Sequence, residues 1–298
     1  MEGIYKLLTQ AGVRAEQSYL LAPHTSFRIG GRARLALFPK SWEELLLTLG
    51  ALRDFDIRYT VIGAASNVVF SDEGYDGAIV FTGAWRECRV NGDEMTVSAG
   101  TPLLTVVTEA RRAGLSGAEF AYGIPGTLGG AIFMNAGAFG GAMSDVCLQS
   151  EYFDPTDGDV KAVCGTDHLF GYRTSIYEKN PHYTVFGATL RLVRDDPDAI
   201  EARMKDYLSR RKSTQPLEYP SAGSVFKRPT GHFAGKLIED AGLKGTRVGG
   251  AEVSEKHAGF IVNRGGATAR DVRELVDLIR TRVYDQFGVM LECEIRFL

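Results

Sequence analysis

Cysteine is scarce in this chain and shows no pairing pattern. Cys88, Cys147, Cys164 and Cys293 lie far apart, with no C-x-x-C and no histidine at zinc-site spacing. His24, His168, His182, His232 and His257 make no H-E-x-x-H, so no metal centre is expected. An excess of one charge is missing as well. The net charge of −3 argues against a nucleic-acid binder, which carries a basic surplus. The one basic run, Arg210-Arg211-Lys212, falls at the end of a predicted helix, where cations offset the dipole and face water. Long apolar runs are absent: nothing approaches a membrane span. The opening MEGIYKLLTQ is a short amphipathic stretch without the apolar region of a signal peptide. A reducing cytoplasm is the expected location, with neither membrane nor nucleic acid as partner.

Glycine is what the chain has in excess. Its 35 residues are about twelve per cent of the total, against a usual seven or so. They cluster in loops rather than repeats, which suggests backbone held close to something. A length of 298 residues calls for two or three domains, since a single core becomes unwieldy at that size.

The periodicities outline the elements. A helix runs from Ser41 to about Phe55, with Ser41 and Glu44 spaced as a capping box. A strand, Arg58 to Ile62, leads into the small-residue turn Gly63-Ala64-Ala65-Ser66-Asn67. A hairpin is expected around Asn91-Gly92, and a helix opened by Thr101-Pro102 and closed by Gly114. The run Gly123–Gly141 is too rich in small residues for a normal helix. Two strands flank the Asp154–Gly158 turn, and Tyr183 to Leu192 reads as another. Asp196-Pro197 opens a helix with Ile200, Met204, Tyr207 and Leu208 on one face, and a domain boundary falls just before it. The last helix, Thr268 to Phe287, carries a stripe of Leu275, Val276, Ile279 and Val283. The chain ends in a strand whose alternation puts Val289, Leu291, Cys293, Ile295 and Phe297 on one face. Many strands without regular βα alternation indicate an α+β protein.

Chemistry is sought first in Gly123–Gly141. So many bare backbone amides suit a pyrophosphate or a flavin edge, or alternatively a tight crossover of packed backbones. Neither a Rossmann fingerprint nor a P-loop is present, so a dinucleotide would need another fold. The Gly63–Asn67 turn can seat phosphates or simply bond its own backbone. Ser224 sits between small residues and the cations Lys227 and Arg228. No histidine is placed to make it an acyl-transfer nucleophile, yet a hydroxyl near cations can protonate a carbanion. Glu294 and Arg296 share one face of the last strand, as a functional pair or a solvated ion pair. Arg173 lies among aromatics in Phe170-Gly-Tyr-Arg-Thr-Ser175.

The ordered set is more specific than any member. His24–Gly31, Ser66-Asn67, Gly123–Gly141, Tyr172–Ser175, Ser221–Pro229, Ala234–Glu239, Val253–Ala258 and Glu294-Ile-Arg296 together resemble the UDP-N-acetylenolpyruvoylglucosamine reductase family, over nearly the whole chain. The resemblance implies a two-subdomain FAD-binding module of the PCMH-type flavoprotein fold plus a C-terminal α+β substrate-binding domain. The expected divisions are residues 1–80, joined by the terminal strand 289–298, then 81–195, then 196–288. The implied reaction is NADPH-dependent, FAD-mediated reduction of UDP-N-acetylglucosamine enolpyruvate to UDP-N-acetylmuramate, a step of peptidoglycan precursor synthesis.

The same matching implies Arg173, Ser224 and Glu294 as catalytic positions. It implies FAD contacts at Gly63, Ala64, Ala65, Ser66, Asn67, Gly123, Pro125, Gly126, Thr127, Gly130, Asn135, Ala136 and Gly137. Substrate contacts are implied at Tyr172, Lys227, Arg228, His257 and Arg296. No tyrosine-bearing insertion follows Arg173, so the chain resembles the shorter, second type of the family. Ala65, and often Ala64, stand where the family has glycine. Arg228 and Gly259 stand where it has asparagine. Two rivals bear weighing: an oxidase of small alcohols or sugars on the same flavin-binding architecture, and a nucleotide-sugar binding protein without turnover. The first has no need of the Ser224 and Glu294 segments, and the second would stay colourless with FAD.

Overall fold

Local capping chemistry sets the starts of three helices in the computed structural model, which describes every residue from Met1 to Leu298. Ser41 caps the helix Trp42–Asp54, its hydroxyl accepting from the Glu44 amide at 3.2 Å. The Glu44 carboxylate accepts from the Lys40 amide at 3.0 Å rather than from Ser41, so the capping box is displaced by one residue. Thr268 and Asp271 complete a full box before the helix Ala269–Phe287, and Gly288 closes it at φ 69°. Leu275, Val276, Ile279 and Val283 of that helix are all buried, as the stripe requires. The helix expected from Thr101-Pro102 begins one residue later, at Leu103. Pro102 stays extended because it pairs with Thr127 in an isolated antiparallel bridge.

Two compact units divide the chain. Met1–Ser18, Arg34–Ala64 and Asp76–Arg210 form the first; Tyr19–Ala33, Ala65–Tyr75 and Arg211–Leu298 form the second. The first unit's largest sheet is antiparallel, in the order Asp159–Cys164, Cys147–Asp154, Thr184–Arg191, Glu94–Ser98, Cys88–Asn91. Its core gathers Val97, Val106, Val107, Leu128, Ile132, Ala188 and Leu190. A separate core packs Ile4, Leu8, Leu45 and Leu49 of two helices against Leu35, Leu37, Ala78 and Val80. In the second unit the antiparallel sheet Ser221–Ser224, Phe260–Asn263, Ala251–Val253, Arg247–Val248 packs on the last helix. Strands and helices are thus mixed without βα alternation, the expected α+β class. No helix is long and apolar enough to cross a membrane.

Three expectations need correction. The glycine-rich run contains a regular helix after all, Leu128–Met134. Its Gly129 is needed for packing, since a Cβ there would lie 2.8 Å from the Ala99 Cβ. Close backbone approach compensates for glycine's low helix propensity. Arg211 is not part of a solvated helix end but only 7% exposed, and burial pushes its guanidinium pKa down. The terminal segment keeps its alternation, with Leu291 and Ile295 buried, yet it is not one ladder. Lys227 and Val225 bond Glu292 and Glu294 of it, and only Arg296–Phe297 then pairs, in parallel, with Val68–Val69. Two successive partners split what the sequence pattern reads as one strand.

Two histidines shielded from water give the fold a pH dependence. His168 is completely buried and His257 half-buried, and in each burial holds the imidazole pKa below its ordinary value. The unfolded chain, titrating near the reference value of about 6.5, then binds more protons than the folded one. Stability is therefore full above that value and falls as pH drops from it toward the lowered folded-state values. Melting temperatures are expected to decline between pH 7 and pH 5, less steeply in His168→Gln. A flat profile, or one unchanged by that substitution, would contradict the assignment.

Candidate active site

The strand Tyr59–Ile62 ends at Gly63, where a Cβ would collide with the Thr127 hydroxyl. Only glycine lets the two segments of this unit approach so closely. The glycine-rich run is stitched to residues 99–103 by three backbone bonds: Leu103 N to Gly126 O, Leu128 N to Thr101 O, and Gly129 N to Ala99 O, at 2.9–3.0 Å. Gly123 turns the chain at φ 79°, and Pro125 and Gly130 are exposed. Thr127 precedes the helix, yet its hydroxyl caps nothing: the Oγ1 atom is buried with no hydrogen-bond partner. A buried hydroxyl left so costs roughly 1–3 kcal/mol, which a ligand oxygen would recover.

Asn135 ends the helix in the left-handed conformation, φ 43°, that asparagine tolerates best. Its amide is structural in both directions. The Nδ2 group donates to Gly171 O at 2.9 Å, and Oδ1 accepts from the Ser144 amide at 2.9 Å. Ala136 accepts from the Met143 amide at 3.0 Å, holding the next turn. Asn135 thereby anchors the tight turn Gly171–Thr174, in which Gly171 and Thr174 exchange backbone bonds of 3.1 and 3.3 Å. Within that turn Arg173 is itself left-handed, φ 55°, a strain on the order of 1 kcal/mol for a side chain of its size. Its Nη2 donates to Gly137 O at 3.2 Å, and its guanidinium lies 5.4 Å from the Tyr172 ring centroid. Arg173 and the glycine-rich run are thus brought together. Tyr172 is largely exposed.

A cleft of about 300 Å³ in the same unit, floored by Trp42, Trp85 and Phe186, contains none of these residues. Its charged lining residues are Glu43, Glu87, Glu151 and Arg89, with Arg89 paired to Glu87, an acidic excess that disfavours a pyrophosphate.

In the second unit, Ala65 adopts φ 48°, the conformation that glycine takes freely at this position. Asn67 does not bond its own turn. Its Nδ2 donates to Glu294 O at 3.2 Å, and its carbonyl accepts from the Arg296 amide at 3.0 Å. Ser224 pairs opposite Phe260, and the Glu294 amide donates to Val225 O at 2.8 Å. Ser224, Asn67, Glu294 and Arg296 therefore belong to one hydrogen-bonded patch. The Ser224 hydroxyl donates to Phe226 O at 3.2 Å, a weak local bond that leaves it half-exposed. Next to it, a Cβ on Gly259 would lie 2.9 Å from the His257 ring, so alanine or asparagine there requires that ring to shift. His257 accepts at Nδ1 from the Gly259 amide at 3.1 Å. Lys227 is engaged by Glu292 at 2.5 Å, and the Arg228 guanidinium lies 4.6 Å from the Phe233 ring centroid.

Sequence reasoning missed the supports. Ser26, whose hydroxyl donates to Ser221 O at 2.7 Å and to Ala65 O at 3.3 Å, ties the Ser224 strand to the Ala65 turn. Ser175, fully buried, donates to Phe133 O at 2.7 Å and caps the short helix after Arg173. Both lie inside matched segments, but a serine's long-range partner leaves no mark in sequence.

A family model described as an FAD binding domain matches residues 33–163, and one described as the C-terminal domain of UDP-N-acetylenolpyruvoylglucosamine reductase matches residues 215–298. The UDP-N-acetylenolpyruvoylglucosamine reductase of Caldicellulosiruptor bescii is 45% identical over 98% of this chain and 93% of its own length. The chain belongs to the UDP-N-acetylenolpyruvoylglucosamine reductase family. The reductase of Clostridium botulinum is 44% identical over 92% of this chain and 89% of its own. Among solved structures, the Thermus caldophilus reductase superposes with a TM-score of 0.82 at 38% identity, covering 96% of this chain and 99% of that one. A berberine bridge enzyme-like protein of Physcomitrella patens shares the fold alone, with a TM-score of 0.50 at 15% identity over 64% of this chain and 44% of its own.

As a member of the reductase family with an FAD-binding domain, the chain is a flavin-dependent oxidoreductase. The residues present fit that cofactor on structural grounds. The buried Thr127 hydroxyl has no partner within the protein, while the Gly63–Thr127 crossing is a close contact between two protein segments.

Proposed function

We propose that this chain reduces the enolpyruvyl ether of UDP-N-acetylglucosamine to the lactyl ether of UDP-N-acetylmuramate, with bound FAD as carrier and NADPH as reductant. The observation that supports it best is the succession, on one chain, of an FAD-binding match and a reductase C-terminal match. Gly63, Ala64, Ala65, Ser66 and Asn67, with Gly123, Pro125, Gly126, Thr127, Gly130, Asn135, Ala136 and Gly137, would hold the dinucleotide. Most offer backbone amides; Thr127 offers its hydroxyl, and Asn135 acts by fixing the turn. When bound, the flavin supplies a hydride, drawn from NADPH, to the terminal carbon of the enolpyruvyl group.

The protein's own task is to manage the charge and the proton. Hydride arrival leaves negative charge on the neighbouring carbon and its carboxylate. Arg173, a planar donor fork preset by its turn, stabilises that charge without reorganising. Glu294 and Arg296, held by the Asn67 contacts, polarise the groups around it. Ser224 delivers a proton to the carbanionic carbon as general acid, its hydroxyl needing only to leave a weak local bond. Tyr172, Lys227, Arg228 and His257 are assigned to the sugar nucleotide. The Lys227 ammonium exchanges Glu292 for a phosphate oxygen, and His257 enters neutral because burial disfavours its charged form.

Anaerobic mixing of NADPH-reduced enzyme with the enolpyruvyl sugar nucleotide tests this reading. The flavin absorbance is expected to return as substrate is consumed; a trace that stays bleached overturns the proposal. Attachment of the cofactor is tested separately. Neither the Gly63–Asn67 turn nor the Gly123–Gly141 run contains a cysteine or histidine to bond it covalently. Denaturation is expected to release all the yellow colour into the supernatant. Colour retained by the precipitated chain would show a covalent link.

A further inference from the structure

Ser150, His168 and Tyr177 are each completely buried in the first unit, and the reaction as described uses none of them. They form a hydrogen-bonded chain. His168 Nδ1 lies 3.1 Å from Gly165 O, Nε2 lies 2.8 Å from the Ser150 hydroxyl, and that hydroxyl lies 2.6 Å from the Tyr177 hydroxyl. A carbonyl can only accept, so Nδ1 carries the proton and Nε2 is left as an acceptor. Ser150 must then donate to Nε2, and Tyr177 must donate to Ser150. One proton arrangement satisfies the whole chain. The Cys147 thiol, 3.6 Å from Nε2, adds a weak further contact.

Stability alone does not call for such a chain. Tyr177 packs edge-on against Tyr152 in an apolar core, where a phenylalanine of the same shape would fit. Replacing both partners of a buried hydrogen bond by apolar groups is nearly neutral. What a directional chain adds is a single geometry, and its two ends bracket Arg173. The His168 ring stacks on Phe170 at 4.7 Å and 5°, just before the Gly171–Thr174 turn. Tyr177 lies in the helix Ile176–Lys179, just after it. Between them Arg173 is held at φ 55°. A left-handed arginine relaxes unless both flanks are fixed.

We propose that Tyr177, Ser150 and His168 are positioning residues for Arg173, clamping both flanks of its turn so that the guanidinium stays aimed during substrate reduction. The inference rests on the assignment of Arg173 to the reaction. It is tested with Tyr177→Phe, which removes one hydroxyl, with Arg173→Ala, and with the two combined in a double-mutant cycle.

Tyr177→Phe is expected to slow reduction of the enolpyruvyl substrate about tenfold, the rate equivalent of one net hydrogen bond, while NADPH consumption in the first half-reaction is unchanged. Hydrogen exchange at the Gly171 and Thr174 amides is expected to accelerate, with the Thr184–Arg191 strand keeping its protection. Added to Arg173→Ala, the tyrosine substitution is expected to slow the reaction no further. Should Tyr177→Phe fail to fold, Ser150→Ala cuts the same chain at its middle and is read in the same three ways. Multiplying effects in the double variant, or unchanged exchange in the turn, overturn this inference alone. Normal turnover by Arg173→Ala overturns the assignment of Arg173 and this inference with it.

Discussion

Arg173→Ala is expected to bind FAD and accept reducing equivalents from NADPH as before, yet to reduce the enolpyruvyl substrate about 10²–10³-fold more slowly. The size of the effect follows from where charge changes. The first half-reaction builds no charge on the substrate, whereas the second builds it on the carbon that bears the substrate's carboxylate. A preorganised donor loses its whole contribution when truncated, because water entering the gap must reorient as charge develops. The fold should tolerate the change. The Arg173 side chain's bond to Gly137 O is long, at 3.2 Å, and the turn keeps its own Gly171–Thr174 bonds and the Asn135 anchor. Alanine inherits the positive φ at a similar cost. Arg173→Lys is not expected to restore the rate, since a point charge on a flexible stem does not reproduce a planar donor fork. Stopped-flow traces of the two half-reactions decide it. Near-normal substrate reduction by the alanine variant would take Arg173 out of the site.

The parts of this molecule that were readable from sequence are those governed by near neighbours. The Ser41 cap, the helix from Thr268 to Phe287 and the Asn91-Gly92 hairpin all depend on residues a few places apart. The helix Leu128–Met134 was not readable, because what stabilises it is Ala99, thirty positions away, pressing on Gly129. Its glycines signal close approach in either case, and only tertiary structure shows which kind. Arg211 misled for a similar reason: a basic run at a helix end usually faces water, and here packing of the helix face overrides that. The candidate site divides along the same line. Ser224, Glu294 and Arg173 stand out only as members of an ordered set, since a serine or an arginine alone has a commoner structural use. Ala65, a departure from the family's glycine, turns out to carry the positive φ that glycine would carry without strain. The Ser26, Ser175 and Ser150 contacts could not be read at all, for each joins segments whose separation in sequence contains no information about their distance in space.

Ser224→Ala is expected to slow substrate reduction by about 10²–10⁴-fold, the usual range for loss of a positioned general acid, and to leave reduction by NADPH nearly intact. The hydroxyl is part of the frame in one respect only, its 3.2 Å bond to Phe226 O. The backbone bonds of the next residue, Val225 N to Gly259 O and Glu294 N to Val225 O, at 2.9 and 2.8 Å, do not involve the side chain. Gly223, at φ 79°, turns the chain just before it and does not depend on it either. Removing so weak and half-exposed a bond should cost no more than about 1 kcal/mol of stability. The catalytic loss has a different origin. Once hydride has arrived, the carbon beside the carboxylate must be protonated, and water held at random is a poor substitute for an oriented hydroxyl. Ser224→Thr keeps that hydroxyl on a strand that favours β-branched residues, so it should recover much of the rate. If Ser224 merely braces its loop, a different pattern follows. Both half-reactions would then slow together in the alanine variant, its melting temperature would fall, and threonine would help stability and rate alike. That outcome would sink the proton-donor role, whereas a deficit confined to substrate reduction, at an unchanged melting temperature, leaves the hydroxyl's proton as the only thing lost.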